Sequence, residues 1–271
     1  MPRVLVNDVH YHSEQRGDGA PLVLLHGFSG GAASWREHAA YFAQHFRVIT
    51  VDLPGHGQTD SPADPARYRM EACVADLDAL FGIWGIERAH VLGYSMGGRV
   101  ALHFAAAHPA RVRALILESA SPGIADAAER AARVQSDNDL ADFIEREGIE
   151  AFVNRWEALP LFASQARLPE ATRAALRAQR LRNDPRGLAR SLRGLGTGIQ
   201  SPLWEHLPEI STPTLLLAGE DDTKYVTIAR AMARSLPDAQ LTVVPGAGHA
   251  VHIEQPTRFR ERVSGFFESR E

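Results

Sequence analysis

The chain has one cysteine, one lysine, few aromatic residues and no long apolar run, and each shortage narrows what it can be. Cys73 alone cannot close a disulfide within the chain, which excludes the small disulfide-stapled scaffolds. The start MPRVLVND lacks the charged-then-apolar pattern of a secretion signal, and no apolar stretch approaches the length of a membrane span. The expectation is a soluble cytoplasmic protein with no membrane partner. Neither sign of charge dominates: 33 acidic side chains against 29 basic give a formal charge of −4, so no overall field favours nucleic acid. An anionic ligand would need a local pocket. Of the 29 basic residues, 28 are arginine and Lys224 is the sole lysine, so arginine also fills ordinary surface positions. A functional arginine must be argued from its place.

At 271 residues and 45% hydrophobic composition the chain can bury a full core, near the size where one domain stops growing. Apolar β-branched runs alternate with helical-period segments, which predicts a doubly wound α/β fold with a mostly parallel sheet and helices on both faces. Strands are expected over 3–9, 21–26, 48–52, 89–93, 112–118, 214–219 and 241–244, and helices over 33–45, 67–84, 96–108, 226–235 and 257–268. The alternation stops after Ser119, and up to His206 the chain reads as consecutive amphipathic helices, such as 139–147 and 170–182. Such an insertion at strand ends reads as a lid over a ligand site. The expected organisation is a core over 1–118, an all-helical lid over 119–206 and the rest of the core over 207–271. Nothing in the sequence sets an oligomeric state.

Gly93-Tyr94-Ser95-Met96-Gly97 is a G-x-S-x-G match between the apolar strand AHVLG and the helical pattern MGGRVALHFAAAH. The sharp strand-to-helix turn of this motif strains the serine backbone and needs flanking residues without Cβ. An activated serine needs a base and an orienting acid, and on this architecture the order is serine, acid, histidine. Asp222, after TLLLAGE, and His249, in PGAGHAV, satisfy that order at strand carboxyl ends. Asp221 competes, but Asp222 lies deeper in the loop. His26, His56 and His252 read as ordinary surface or capping histidines. An oxyanion hole would combine the amides of Met96 and Phe28, the latter in the HGFSGG loop. The stretch DLPGHG is assigned no chemistry.

Arg99 lies one helical turn behind Ser95 and so shares its face. A cation near a helix N-terminus is mildly disfavoured, which implies a compensating anion: either a ligand or a structural Asp or Glu.

With motif, order and lid in place, the chain resembles the α/β-hydrolase superfamily over nearly its whole length. Its less generic segments, GYSMGGRVAL, ESASPGI, LADFIEREGIEAFVNRWEALPLFASQ, RLRND, GTGIQ, GEDDTKY and AGHAVHIEQP, resemble the 2-succinyl-6-hydroxy-2,4-cyclohexadiene-1-carboxylate synthases of menaquinone biosynthesis. The resemblance implies a cofactor-independent, metal-free lyase that takes a proton next to the succinyl ketone of a small tricarboxylate substrate and expels its enolpyruvyl group as pyruvate. It makes Ser95 the base, with its proton relayed through His249 and Asp222 orienting the imidazole, and makes the Phe28 and Met96 amides the enolate-binding pair. It adds Arg133 and Arg182 as carboxylate binders beside Arg99, and Tyr94 and Trp156 as pocket walls or donors. Lys224 matches the family's D-x-K pattern and is assigned no role. The competing expectation is a hydrolase of esters, or of carbon–carbon bonds in ring-cleavage products, with Ser95 as nucleophile; Arg99 and the lid segments argue against a neutral ester.

Overall fold

A computed structural model describes residues 3–270. The chain opens with a hairpin of β1 (Val4–Val6) and β2 (Val9–Tyr11), followed by β3 (Ser13–Arg16) and β4 (Ala20–Leu25). Next come α1 (Arg36–Phe42), β5 (Phe46–Val51), α2 (Met70–Ile83), β6 (Ala89–Tyr94), α3 (Met96–Ala107) and β7 (Val112–Glu118). Three helices follow, α4 (Ala127–Glu157), α5 (Glu170–Arg180) and α6 (Pro185–Leu195), before β8 (Thr214–Gly219), α7 (Thr223–Ser235), β9 (Ala239–Val244), the short α8 (Val251–Glu254) and α9 (Pro256–Glu268).

β3 to β9 form one seven-stranded sheet in the order β3-β5-β4-β6-β7-β8-β9. Only β3 runs antiparallel to its neighbour. The central strands are apolar without alternation, as in the buried LVLL of β4 and all of β8, because helices cover both faces. One apolar cluster packs α2, α3 and α7 on one face; α1 and α9 build the other around Trp35, Phe42, Phe259 and Phe266.

Two expectations at the start of the chain change. The single strand expected over 3–9 is broken by a turn at Asn7 and Asp8, both with positive φ (45° and 66°), and returns as a hairpin. β3 went unread because its sequence, Ser-Glu-Gln-Arg, is polar, as suits an edge strand whose outer side faces water.

The helices α4 to α6 stand between β7 and β8, at the carboxyl ends of the strands. α4 is broken at Gly148, whose φ of 81° and ψ of −179° are not helical. Its two halves and α6 share a small core of Ala141, Ile144, Phe152, Val153, Leu188 and Leu192, against which Phe28 of the main body and Trp156 pack. Asn183 ties the insertion down: its amide nitrogen donates to the Ser29 carbonyl and its amide oxygen accepts from the Gly57 amide. Among the described residues no helix is long and apolar enough to cross a membrane.

Candidate active site

Ser95 sits at the tip of the turn from β6 to α3 with φ 50° and ψ −106°, a strained conformation for a residue with a side chain. The turn is possible because its glycines lie against backbone. A Cβ on Gly93 would come within 2.3 Å of the Gly97 carbonyl, and one on Gly97 within 2.4 Å of the Leu25 carbonyl. Spacing of glycines around the serine thus follows from the close approach of β6 to α3 at Gly93 and of α3 to β4 at Gly97.

The structure brings the three expected polar residues together. The Ser95 hydroxyl lies 3.0 Å from His249 Nε2, and His249 Nδ1 lies 2.6 Å from Asp222 Oδ2. Both His249 and Asp222 are buried. The second Asp222 oxygen caps α7 by accepting from the Tyr225 amide. Asp221 points elsewhere: it is exposed and engages Arg167. The loop carrying His249 is held on both sides by Glu254, whose carboxylate accepts from the Gly248 and Ala250 amides at 2.8 and 3.2 Å. Edge-on contact with Tyr225, at 4.6 Å between ring centres, and tilted contact with Tyr94 at 5.4 Å fix the imidazole plane.

The HGFSGG loop lies directly beside Ser95, since a Cβ on Gly27 would meet the Tyr94 ring at 2.6 Å and Ser95 Cβ at 3.5 Å. Phe28 follows Gly27 in this loop, and Met96 follows Ser95 as the first residue of α3, and each carries a backbone amide. Neither amide is taken by a backbone carbonyl in the loop, turn and cap contacts of the described residues. His26, His56 and His252, expected at the surface or as caps, are instead all buried. His26 secures the loop: Nδ1–H donates to the Gly27 carbonyl and Nε2 accepts from the Leu53 amide. The DLPGHG stretch is equally structural. Asp52 accepts from the Ala32 and Gln58 amides and from His12 Nδ1, stitching three loops together.

A cavity of about 390 Å³ opens over Ser95, roofed by the inserted helices. Phe28, Tyr94, Met96, Trp156 and Phe162 wall it, and its charged members are Arg99, Arg133, Arg155, Lys224 and Asp137. Four cations face one carboxylate, an excess of three positive charges in a chain whose overall charge is −4.

Arg99 is 7% exposed, and its guanidinium donates only to neutral acceptors, Gln200 Oε1 and the Leu195 carbonyl. Among the described residues no carboxylate lies within ion-pair distance of it. The structural Asp or Glu that could have explained Arg99 is thus not bonded to it. Burial pushes the Arg99 pKa down to about 10, with Arg133 nearby adding to the shift. Arg133 keeps one partner, Asp137, at 2.8 Å. Burial in turn raises the Asp137 pKa, and the two arginines offset part of that rise.

The placement of Arg182 corrects the expectation made for it. It lines a separate cleft with His12, Gln179 and Asn183, away from Ser95. α5 ends at Arg180, and Arg182 lies beyond it in the turn that leads to Asp184 and α6. Arg180 is the one that turns inward, next to Tyr94, Phe28 and Trp156, where Glu157 and Gln165 hold it. Three neighbours of the site went unread. Tyr225 and Glu254 touch or brace His249, and Glu118 is fully buried and pairs with His252, whose ring packs against Tyr94. The only sequence signal for Tyr225 was its place three residues after Asp222, in the first turn of a helix.

Comparison with known proteins agrees with this architecture. A family model described as alpha/beta hydrolase fold matches residues 20–256. A Bacillus subtilis (strain 168) protein provisionally named 2-succinyl-6-hydroxy-2,4-cyclohexadiene-1-carboxylate synthase is 44% identical over 269 residues, 98% of each chain. The synthase of the same name from Klebsiella pneumoniae subsp. pneumoniae is 36% identical over 235 residues, 87% of this chain and 88% of its own. Among solved structures, MenH from S. aureus superposes with a TM-score of 0.92 at 38% identity, covering 96% of this chain and 98% of that one.

Proposed function

The chain belongs to the α/β-hydrolase fold family and, within it, to the 2-succinyl-6-hydroxy-2,4-cyclohexadiene-1-carboxylate synthases, and on that premise we propose how its cavity performs the reaction. The enzyme is a pyruvate-eliminating lyase of menaquinone biosynthesis. Its substrate, 2-succinyl-5-enolpyruvyl-6-hydroxy-3-cyclohexene-1-carboxylate, carries three carboxylates, a proton on C2 beside the succinyl ketone, and a leaving group on C5.

Ser95 Oγ, with its own proton passed to His249 Nε2, takes the C2 proton. The electron pair moves onto the ketone oxygen, and the amides of Phe28 and Met96 donate to that developing oxyanion. Its return forms the C2–C3 double bond, shifts the ring double bond from C3–C4 to C4–C5 and breaks the C5–O bond. The enolpyruvyl group leaves as the enolate of pyruvate and takes up one proton. Asp222, at 2.6 Å from Nδ1, holds the imidazole in the tautomer that accepts from Ser95 and stabilises the imidazolium. No covalent acyl-enzyme forms. Arg99 and Arg133 bind substrate carboxylates, and Tyr94 and Trp156 shape the wall around the ring. The surroundings of Arg180 make it the better candidate than Arg182 for the remaining lid arginine. We place the enzyme in the cytoplasm, with the tricarboxylate as its only partner in this reading.

One observation carries the substrate class: the cavity over Ser95 holds an excess of three cations, one of them buried with no carboxylate partner. Neutral esters need no such field, which disfavours the hydrolase alternative. The test offers the purified enzyme the enolpyruvyl cyclohexene substrate and follows pyruvate release. Accelerated release with negligible aryl-ester hydrolysis is expected; rapid ester hydrolysis without pyruvate release would overturn the reading.

A further inference from the structure

We propose that Lys224, the only lysine of the chain, binds a carboxylate of the substrate at the place where the catalytic cavity meets a neighbouring cleft; this rests on the synthase reading above. Lys224 sits in the first turn of α7 and lines the cavity over Ser95 together with Arg99 and Arg133, which reach it from α3 and α4. Its ammonium has no carboxylate within 4.0 Å among the described residues. The two acids beside it in sequence are both engaged, Asp221 by Arg167 and Asp222 by His249, so Lys224 does not serve as the counter-ion of the triad acid.

The other cavity cations are committed to protein or sunk deep. Arg133 shares its charge with Asp137, and Arg155 lies over the Phe143 ring at 4.9 Å. Arg99 is buried behind Ser95. Lys224 is exposed and, among the described residues, unpaired, and it stands in the first turn of a helix, where the macrodipole disfavours a cation unless an anion offsets it. Without Lys224 the cavity's positive excess drops to two against three carboxylates. A long ammonium stem at the rim suits a carboxylate on an arm that extends from the ring, because one point charge on a flexible chain follows a moving group better than a planar fork does.

Lys224 also lines the adjoining cleft of about 410 Å³, between Leu161 and Thr223. The carboxylate it meets belongs either to the succinyl arm or to the departing enolpyruvyl group; both are the same chemistry and are separated by experiment. Wild type, Lys224→Met and Lys224→Arg are compared for steady-state pyruvate release, and for binding of succinate and of pyruvate read by tryptophan fluorescence, with Trp156 in the cavity wall. For Lys224→Met, KM is expected to rise about five- to tenfold while kcat holds within about twofold, and Lys224→Arg should recover most of the affinity. Weakened binding of succinate alone assigns the succinyl arm, and of pyruvate alone the leaving group. Unchanged KM and unchanged binding of both acids would overturn the proposal. So would a fall in kcat with constant KM and a displaced pH profile, which would tie Lys224 to Asp222 instead. If wild type releases no pyruvate, the synthase reading fails. Lys224 is then judged by the succinate and pyruvate titrations: weaker binding by Lys224→Met supports the site, and equal or absent binding in wild type and variant overturns it.

Discussion

Arg99 has its charge buried among neutral acceptors, with its pKa driven down to about 10, so folding opposes its ionisation. The sign follows: a cation whose folded pKa is depressed destabilises the fold at every pH below that value and relaxes only above it. The shift amounts to about 3 kcal/mol at neutral pH, as an order of magnitude. Lost hydrogen bonds to Gln200 and Leu195 offset part of the gain from removing it. Arg99→Met is therefore expected to keep or raise the melting temperature while lowering kcat/KM about 100-fold, the loss usual for a buried charge partner. A lower melting temperature with intact kcat/KM would assign Arg99 a structural role. Ser95→Ala is expected to remove elimination by about 10³-fold or more without moving the melting temperature, checked by pyruvate release and thermal unfolding. These residues were legible because each stands at a fixed offset from a motif: Ser95 inside it, Arg99 one turn on, Asp222 and His249 at strand ends in the required order. Arg182 was misplaced because only knowing where α5 ends decides whether residue 180 or 182 faces inward. Tyr225 and Glu118 act through long-range packing that no local pattern records.

Among the elements, α4 joins the inserted helices to the cavity over Ser95. Its first half carries Arg133 and Asp137, its second half Trp156, and Gly148 separates them. The φ of 81° with ψ of −179° at Gly148 is accessible almost only to glycine, and a Cβ there would meet nothing within 4 Å. Backbone strain, not crowding, is what a substitution would cost. Gly148→Ala is expected to destabilise by about 1–3 kcal/mol and to raise KM more than it lowers kcat, since it shifts the binding half-helices relative to each other and leaves the triad in place. Equal KM and an unchanged melting temperature would show that the break has no part in shaping the cavity. The strands of the central sheet were readable from continuous apolar runs. The hairpin turn at Asn7-Asp8 and the polar β3 were not, because an edge strand pairs through its backbone and asks little of its side chains.

For the molecule as a whole, charge is arranged against its own sum: the chain is net acidic while the cavity over Ser95 is cationic. Low ionic strength should therefore favour capture of the anionic substrate, as field lines focus into the cavity rather than spread over the surface. Acid works on a different set of groups. His38 and His56 are almost fully buried, and desolvation drives both imidazoles down to about 3, His38 further opposed by His252 and Arg260 and His56 by His26. The unfolded chain protonates such groups near their ordinary value of about 6.5. Their contribution to stability is thus complete above that pH and is lost as pH falls from about 6.5 towards 3. At pH 5 each costs about 2 kcal/mol, so the pair alone removes a large share of the stability of an ordinary domain. The unfolding free energy, from urea titrations at successive pH values, is expected to decline steeply below pH 6.5. His38 sits against Trp35 and Phe259, where a phenyl ring is tolerable; its Nε2–H donates to the His252 carbonyl and its Nδ1 accepts from Arg260 Nε–H at 3.3 Å. His38→Phe should lose about 1–2 kcal/mol at neutral pH from those two bonds, yet show a slope shallower by about 1.4 kcal/mol per pH unit between 6 and 4. An unchanged slope would mean that His38 is not held neutral by the fold, and that acid sensitivity arises from the carboxylates instead.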